Sequence, residues 1–391
     1  MSRFDLNRIN LEKIKLGEQS LKLKRTDYPK PKIKNGMLVD EDGNEIGTKG
    51  DMYTKQIMDT ILQKGCLDHN PRPHYEDFYE DATYDDKKKI VKTKDSIIEV
   101  GPQEKVIEKD GGVEVWTPAH TISINQGIEC TYDLSKKETP MITLRPIATR
   151  SSIAEILWMY QKESNDLVLF DELLGKKTWD TNHKINNWWL DWALKDKNGN
   201  YILNDEMHPT IGSCYGETIR KRNMLKKEVI EAIKNNPDGR RNITCLWQQD
   251  DFLEPHGLKP CAFLTIWNVR HGWDNKDYLD MTMVQRSSDF ATAGCINQVQ
   301  YAALQIMVAR ELGLNPGTFT WKPVNIQLYD RHINQAIEIL NRDPINCKVE
   351  ITLNEKVKSF DDITPDDIII EDYPKELIKK MNPQLRFQLG I

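Results

Sequence analysis

The sequence predicts an α+β fold, because short strand-like stretches are mixed with a few long helical ones and no internal repeat is present. Thr121-Ile122-Ser123-Ile124 alternates as a half-buried strand does, and Met141-Ile142-Thr143-Leu144 reads the same way. Asn242 to Trp247, Ala262 to Val269 and Tyr278 to Val284 are apolar and β-rich. Helical spacing marks Asp51 to Lys64, where Ile57, Ile61 and Leu62 share a face and Gly65 is the stop. Ser151 to Gln161 is a second helix, with Ser151 or Ser152 as its cap and Ile153, Ile156, Leu157 and Tyr160 on one face. Met224 to Asn235, stopped by Pro237, and Gln298 to Leu312, ended by Gly313, complete the set.

Two stretches stand apart. Residues 1–50 are polar and lysine-rich and end in the turn signals Asn35-Gly36 and Asp42-Gly43-Asn44, so they read as an N-terminal extension. Residues 73–112 are again charged and read as a solvated insertion within a catalytic domain spanning 51–391. A net charge of −6 argues against a general nucleic-acid binder. No apolar run approaches the ~18 residues that span a bilayer. The first residues lack a secretory core. The seven cysteines are scattered, with no CxxC pair, which argues against a disulfide framework and a structural zinc site. A cytoplasmic protein with reduced thiols and no membrane contact is expected.

Individual candidates are ambiguous. Cys261 follows Pro260 and opens the apolar run Ala262-Phe263-Leu264, where a plain core cysteine also fits. Arg286, in Gln285-Arg286-Ser287-Ser288-Asp289, carries five donors suited to an oxyanion but could equally be a surface charge. Arg240 and Arg241 stand at a turn, as a solvated basic pair or a phosphate site. Glu155 is a carboxylate inside an apolar helix, three residues before Trp158, and implies an ion pair or a functional group.

Taken together and in order, these pieces resemble the thymidylate synthase family over about residues 51–375. Glu155-Ile156-Leu157-Trp158 is similar to the helix with the family's catalytic glutamate. Trp179-Asp180, Tyr215-Gly216 with Arg220, Asp238-Gly239-Arg240-Arg241 and Pro260-Cys261 resemble further family motifs. So do Gln285-Arg286-Ser287-Ser288-Asp289 with Asn297, and Leu328-Tyr329 with His332. The resemblance implies a large mixed sheet packed by long helices, and a sheet-to-sheet homodimer. It also implies transfer of a one-carbon unit from 5,10-methylenetetrahydrofolate to C5 of dUMP. Cys261 would be the nucleophile, helped by Arg286, with Glu155 as general acid and base and Tyr215 removing the C5 proton. Arg72, Arg286, Ser287 and the partner's Arg240 and Arg241 would hold the phosphate. Asn297 would read uracil, Tyr329 would contact the sugar, and Asp289 and Trp179 would face the folate.

Departures from the family pattern concern the last step. Ala262 replaces a histidine, Gln327 another, Cys295 a proline and Ala293 a glycine, and the C-terminal segment 381–391 does not look like the short synthase tail. These differences favour a phage-type deoxyuridylate hydroxymethylase, in which water adds to the C5 methylene and gives 5-hydroxymethyl-dUMP. The alternatives are a thymidylate synthase making dTMP, and an inactive family member serving as a binding subunit.

Overall fold

The computed structural model describes residues 28–68, 73–125, 127–176 and 185–390. Its centre is a seven-stranded mixed sheet. In chain order the strands are β1 (Cys66–Leu67), β2 (Thr121–Ile124), β3 (Cys130–Asp133), β4 (Asn242–Cys245), β5 (Ala262–His271), β6 (Asp277–Asp289) and β7 (Asn315–Tyr329). They lie side by side as β4-β5-β6-β7-β2-β1, with β3 also on β7. Only β6 and β7 run parallel, and the crossover between them is the long helix from Cys295, as a parallel pair requires.

The helices that pack on and around the sheet include α1 (Lys49–Lys64), α2 (Thr149–Tyr160), α3 (Leu167–Leu173), α4 (Gly216–Arg222), α5 (Cys295–Leu312) and α6 (Ile333–Asn341). α1 starts at a capping box: Thr48 Oγ1 accepts from Asp51 N–H, and Asp51 accepts from Thr48 N–H. α5 is buried nearly all round against α2 and the sheet, which is why its sequence is apolar without a polar stripe. Gly313 ends it at φ 68°, a left-handed cap that glycine adopts without strain. The expected α+β architecture is present.

Local expectations differ in places. Residues 141–144 are buried but form no strand. Their backbone is held by side chains instead of a neighbouring strand: Asp51 accepts from Thr143 N–H at 2.6 Å, Asn382 donates to Thr143 O, and Arg342 donates to Leu144 O. α2 begins at Thr149 with no side-chain cap, and Ser152 Oγ bonds back to Ala148 O. The stretch 226–231 is wound as a π-helix before the short helix Ala232–Asn235. The charged stretch after residue 73 folds into two three-stranded sheets, His74–Glu80 with Gly112–Pro118 and Lys105–Lys109, and Thr83–Asp85 with Ile90–Lys92 and Ile97–Glu99. Ala82, Val91, Ile98, Val113 and Val115 form a small core there.

Candidate active site

The start of β5, the ends of β6 and β7 and the first turns of α5 converge on one end of the sheet. The β5–β6 register puts Ala262 opposite Gln285, and Arg286 N–H donates to Cys261 O at 2.9 Å. Cys261 is therefore presented at the lip of the sheet beside Arg286. The Arg286 guanidinium donates to Pro260 O at 2.8 Å and Lys259 O at 2.7 Å, and lies 3.6 Å from Cys261 Sγ. It fixes the loop that carries the thiol and leaves Nη1 for an oxyanion. Burial pushes the Cys261 thiol up, and the Arg286 charge offsets this in part.

Tyr215 lies under the same loop, with its Oη accepting from Cys261 N–H at 3.0 Å. Its backbone sits at φ 47°, which L-residues rarely adopt, and this turn aims the buried ring at the thiol. Gly216 must follow, because a Cβ there would meet Ser164 O at 2.1 Å. Burial holds the Tyr215 phenol well above its ordinary range, so it is neutral at working pH.

Glu155 is 7% exposed on α2. Its Oε1 accepts from the indole N–H groups of Trp188 (3.0 Å) and Trp189 (2.5 Å), and its Oε2 from Gln300 Nε2. Burial raises the carboxyl, and these three donors counter it. Asn297 sits one turn before Gln300 on α5, donating to Gln300 Oε1 and accepting from Gln285 Nε2, each at 3.0 Å. Glu155 and Asn297 are thus joined through Gln300.

At the β7 end, Tyr329 is buried, and its phenol is raised by burial and then by Asp289 and Cys261. Asp289 accepts from Thr292 Oγ1, and its Oδ1 faces His332 Nδ1 at 3.7 Å. Among the described residues those two buried atoms have no hydrogen-bond partner. Unpaired buried atoms are costly, and these two face each other across that gap, sealed from solvent. Ser287 lies on β6 between Arg286 and Asp289, in register with Asn325.

Cys261, Arg286, Tyr215, Glu155, Asn297, Ser287, Asp289 and Tyr329 are thus gathered around one end of the sheet. Arg72 and Trp179 lie outside the described residues. Arg240 and Arg241 are exposed at the turn before β4 and stand apart. Asn242 pairs with Trp267, so the arginines lie about seven residues along β5 from Cys261, on the order of 20 Å at ~3.3 Å per residue. Trp188, Trp189 and Gln300 are residues that sequence reasoning missed. Trp189 carried a signal, since a buried indole N–H needs an acceptor.

The family model described as thymidylate synthase matches residues 95–384. A thymidylate synthase of Streptococcus sanguinis is 40% identical over 346 residues, covering 88% of this chain and 100% of the relative. That of Streptococcus gordonii is 36% identical over the same shares. Among solved structures, thermostable thymidylate synthase A from Bacillus subtilis superposes with a TM-score of 0.61 at 25% identity, over 88% of this chain and 99% of that one. With this geometry and these relatives together, the chain belongs to the thymidylate synthase family, folate-dependent one-carbon transferases that bind dUMP and take the one-carbon unit from 5,10-methylenetetrahydrofolate.

Proposed function

We propose that this chain is a thymidylate synthase, which places a one-carbon unit on C5 of dUMP and completes it as a methyl group. The observation that carries this reading is the C-terminal segment. Phe387 packs edge-on to His332, Gln388 O accepts from His332 Nε2 at 2.7 Å, and a Cβ on Gly390 would come within 2.7 Å of the Tyr329 ring. A segment seated on Tyr329 and His332 covers the site and keeps water from a reactive methylene, as reduction demands. In sequence this segment is unlike the short synthase tail, but its packing, and relatives named thymidylate synthases, support the methylating alternative over the hydroxymethylating one.

The chain's residues divide the work. Cys261 Sγ gives up its proton and adds to C6 of uracil, with the Arg286 charge favouring the thiolate. Asn297 donates to O4 and accepts from N3–H. Glu155, buried and held by donors, moves protons at the O4 side, and neutral Tyr215 assists removal of the C5 proton through hydrogen bonding. Asp289, at the end of β6 beside this site, is the residue for the folate pterin, and the folate supplies the one-carbon unit and the hydride that makes it methyl. Ser287 and Arg286 Nη1 hold one side of the phosphate, with Arg72 the further ligand from the same chain. Arg240 and Arg241, too far from their own Cys261, serve the phosphate of a second subunit in a homodimer.

The test is incubation with dUMP and methylenetetrahydrofolate. A synthase yields dTMP and dihydrofolate in equal amounts; 5-hydroxymethyl-dUMP with tetrahydrofolate would overturn the proposal.

A further inference from the structure

We propose that Gln300 is a positioning residue that ties Glu155 to Asn297, so that one hydrogen-bond chain sets both the proton-handling carboxylate and the base-reading amide. This rests on the roles given above to Glu155 and Asn297.

The direction of the chain is fixed at its far end. An indole N–H can only donate, and Trp321 Nε1 donates to Gln285 Oε1 at 2.9 Å. Gln285 must then present Nε2, which donates at 3.0 Å to Ser287 O and to Asn297 Oδ1. Asn297 in turn presents Nδ2 to Gln300 Oε1. That leaves Gln300 Nε2 as the donor to Glu155 Oε2, while Trp188 and Trp189 occupy Oε1. Trp321, Gln285 and Gln300 are all buried, so no water competes for these bonds. Turning any one amide over would set donor against donor, or acceptor against acceptor, at both of its ends.

Two consequences follow. Glu155 gains a third donor, which favours its ionised form against burial. Asn297 is held with one N–H and one oxygen lone pair left over, the order that uracil O4 and N3–H require; cytosine needs the reverse. A primary amide of this length accepts from Asn297 and donates to Glu155 at once. The other ionisable groups around Glu155 are phenols: Tyr301 feels its charge, and Tyr160 and Tyr215 surround Tyr301. All three are raised by burial and uncharged at working pH. Among the described residues no charged side chain faces Glu155, so its ionised form is supported by the donors of Trp188, Trp189 and Gln300, of which Gln300 alone also reaches Asn297.

The test compares Gln300→Met and Gln300→Glu with the wild-type enzyme, measuring the pH profile of kcat and the preference for dUMP over dCMP. In Gln300→Met the acid limb of kcat should move up by about one pH unit, and the dUMP preference should fall about tenfold. Gln300→Glu sets two carboxylates together and should move the limb further still. Folding is checked by circular dichroism. If Gln300→Met loses activity equally at every pH with its dUMP preference intact, Gln300 merely packs and the proposal fails. Should Gln300→Met not fold, an unshifted limb in Gln300→Glu overturns it alone. Glu155→Gln and Asn297→Asp are run alongside; if both keep full activity and preference for dUMP, the underlying roles fail rather than the link.

Discussion

Cys261 shows how opposed local effects set reactivity. Burial drives the thiol up, and the Arg286 guanidinium 3.6 Å away pulls it back without fully cancelling the shift. The raised thiol is protonated at neutral pH and becomes nucleophilic as pH rises through its titration. Alkylation of Cys261 by iodoacetamide, followed by peptide mass spectrometry, should therefore have its midpoint above the ordinary thiol range of about 8.5. Arg286→Gln should move that midpoint further up; an unchanged midpoint would show that the charge does not act on the sulfur. Cys261→Ser should cut turnover at least a thousandfold with the fold intact. These residues were legible in sequence because chemistry restricts their type: a cysteine after Pro260, an arginine in the strand-closing Gln285–Asp289 motif, a glutamate in an apolar helix. Gln300 was not legible, because a glutamine on a buried helix has many possible partners and only the fold brings Glu155 to it. Trp188 and Trp189 were not legible either, because no local pattern says which indole reaches the carboxylate.

Elements with local causes were the ones the sequence revealed. α1 and α5 follow apolar spacing and end where their stops predict, and α1 is fixed by its own capping box. Thr48→Ala should lower unfolding free energy by about 1 kcal/mol, and Asp51→Ala by roughly 3, since the latter also strips Thr143 of its buried partner. Equal losses in a denaturant titration would contradict the shared role of Asp51. Residues 141–144 misled because alternation reports burial, while their backbone partners are side chains from distant segments. β7 was not singled out either: its register is set by β6, β2 and β3, all remote in sequence. The tail contacts are equally long-range. Arg331 pairs with Asp77 at 2.8 Å and donates to Gln388 Oε1 at 2.6 Å, so a strand of the inserted sheets helps seat the C-terminus. Asp77→Ala should raise the KM for folate severalfold and leave that for dUMP nearly unchanged; an equal rise in both would refute the clamp.

At the scale of the whole molecule, the sheet carries Cys261 at one place and Arg240 and Arg241 on the order of 20 Å away along β5. Under the proposed homodimer, each phosphate site would take Cys261 from one subunit and the two arginines from the other. Mixing inactive Cys261→Ala subunits with an Arg240→Ala, Arg241→Ala double variant should restore activity, because one site in each mixed dimer regains every group. No recovery after subunit exchange would place the arginines outside the site. The fold class and most residues of the candidate site could be read from the sequence, whereas the seating of Phe387 and Gln388 on His332 is long-range packing that has no local pattern. The most direct measurement follows the product from dUMP and methylenetetrahydrofolate by mass spectrometry, with absorbance recording dihydrofolate. One dihydrofolate for each dTMP is the predicted result; a 5-hydroxymethyl nucleotide with no dihydrofolate would contradict it.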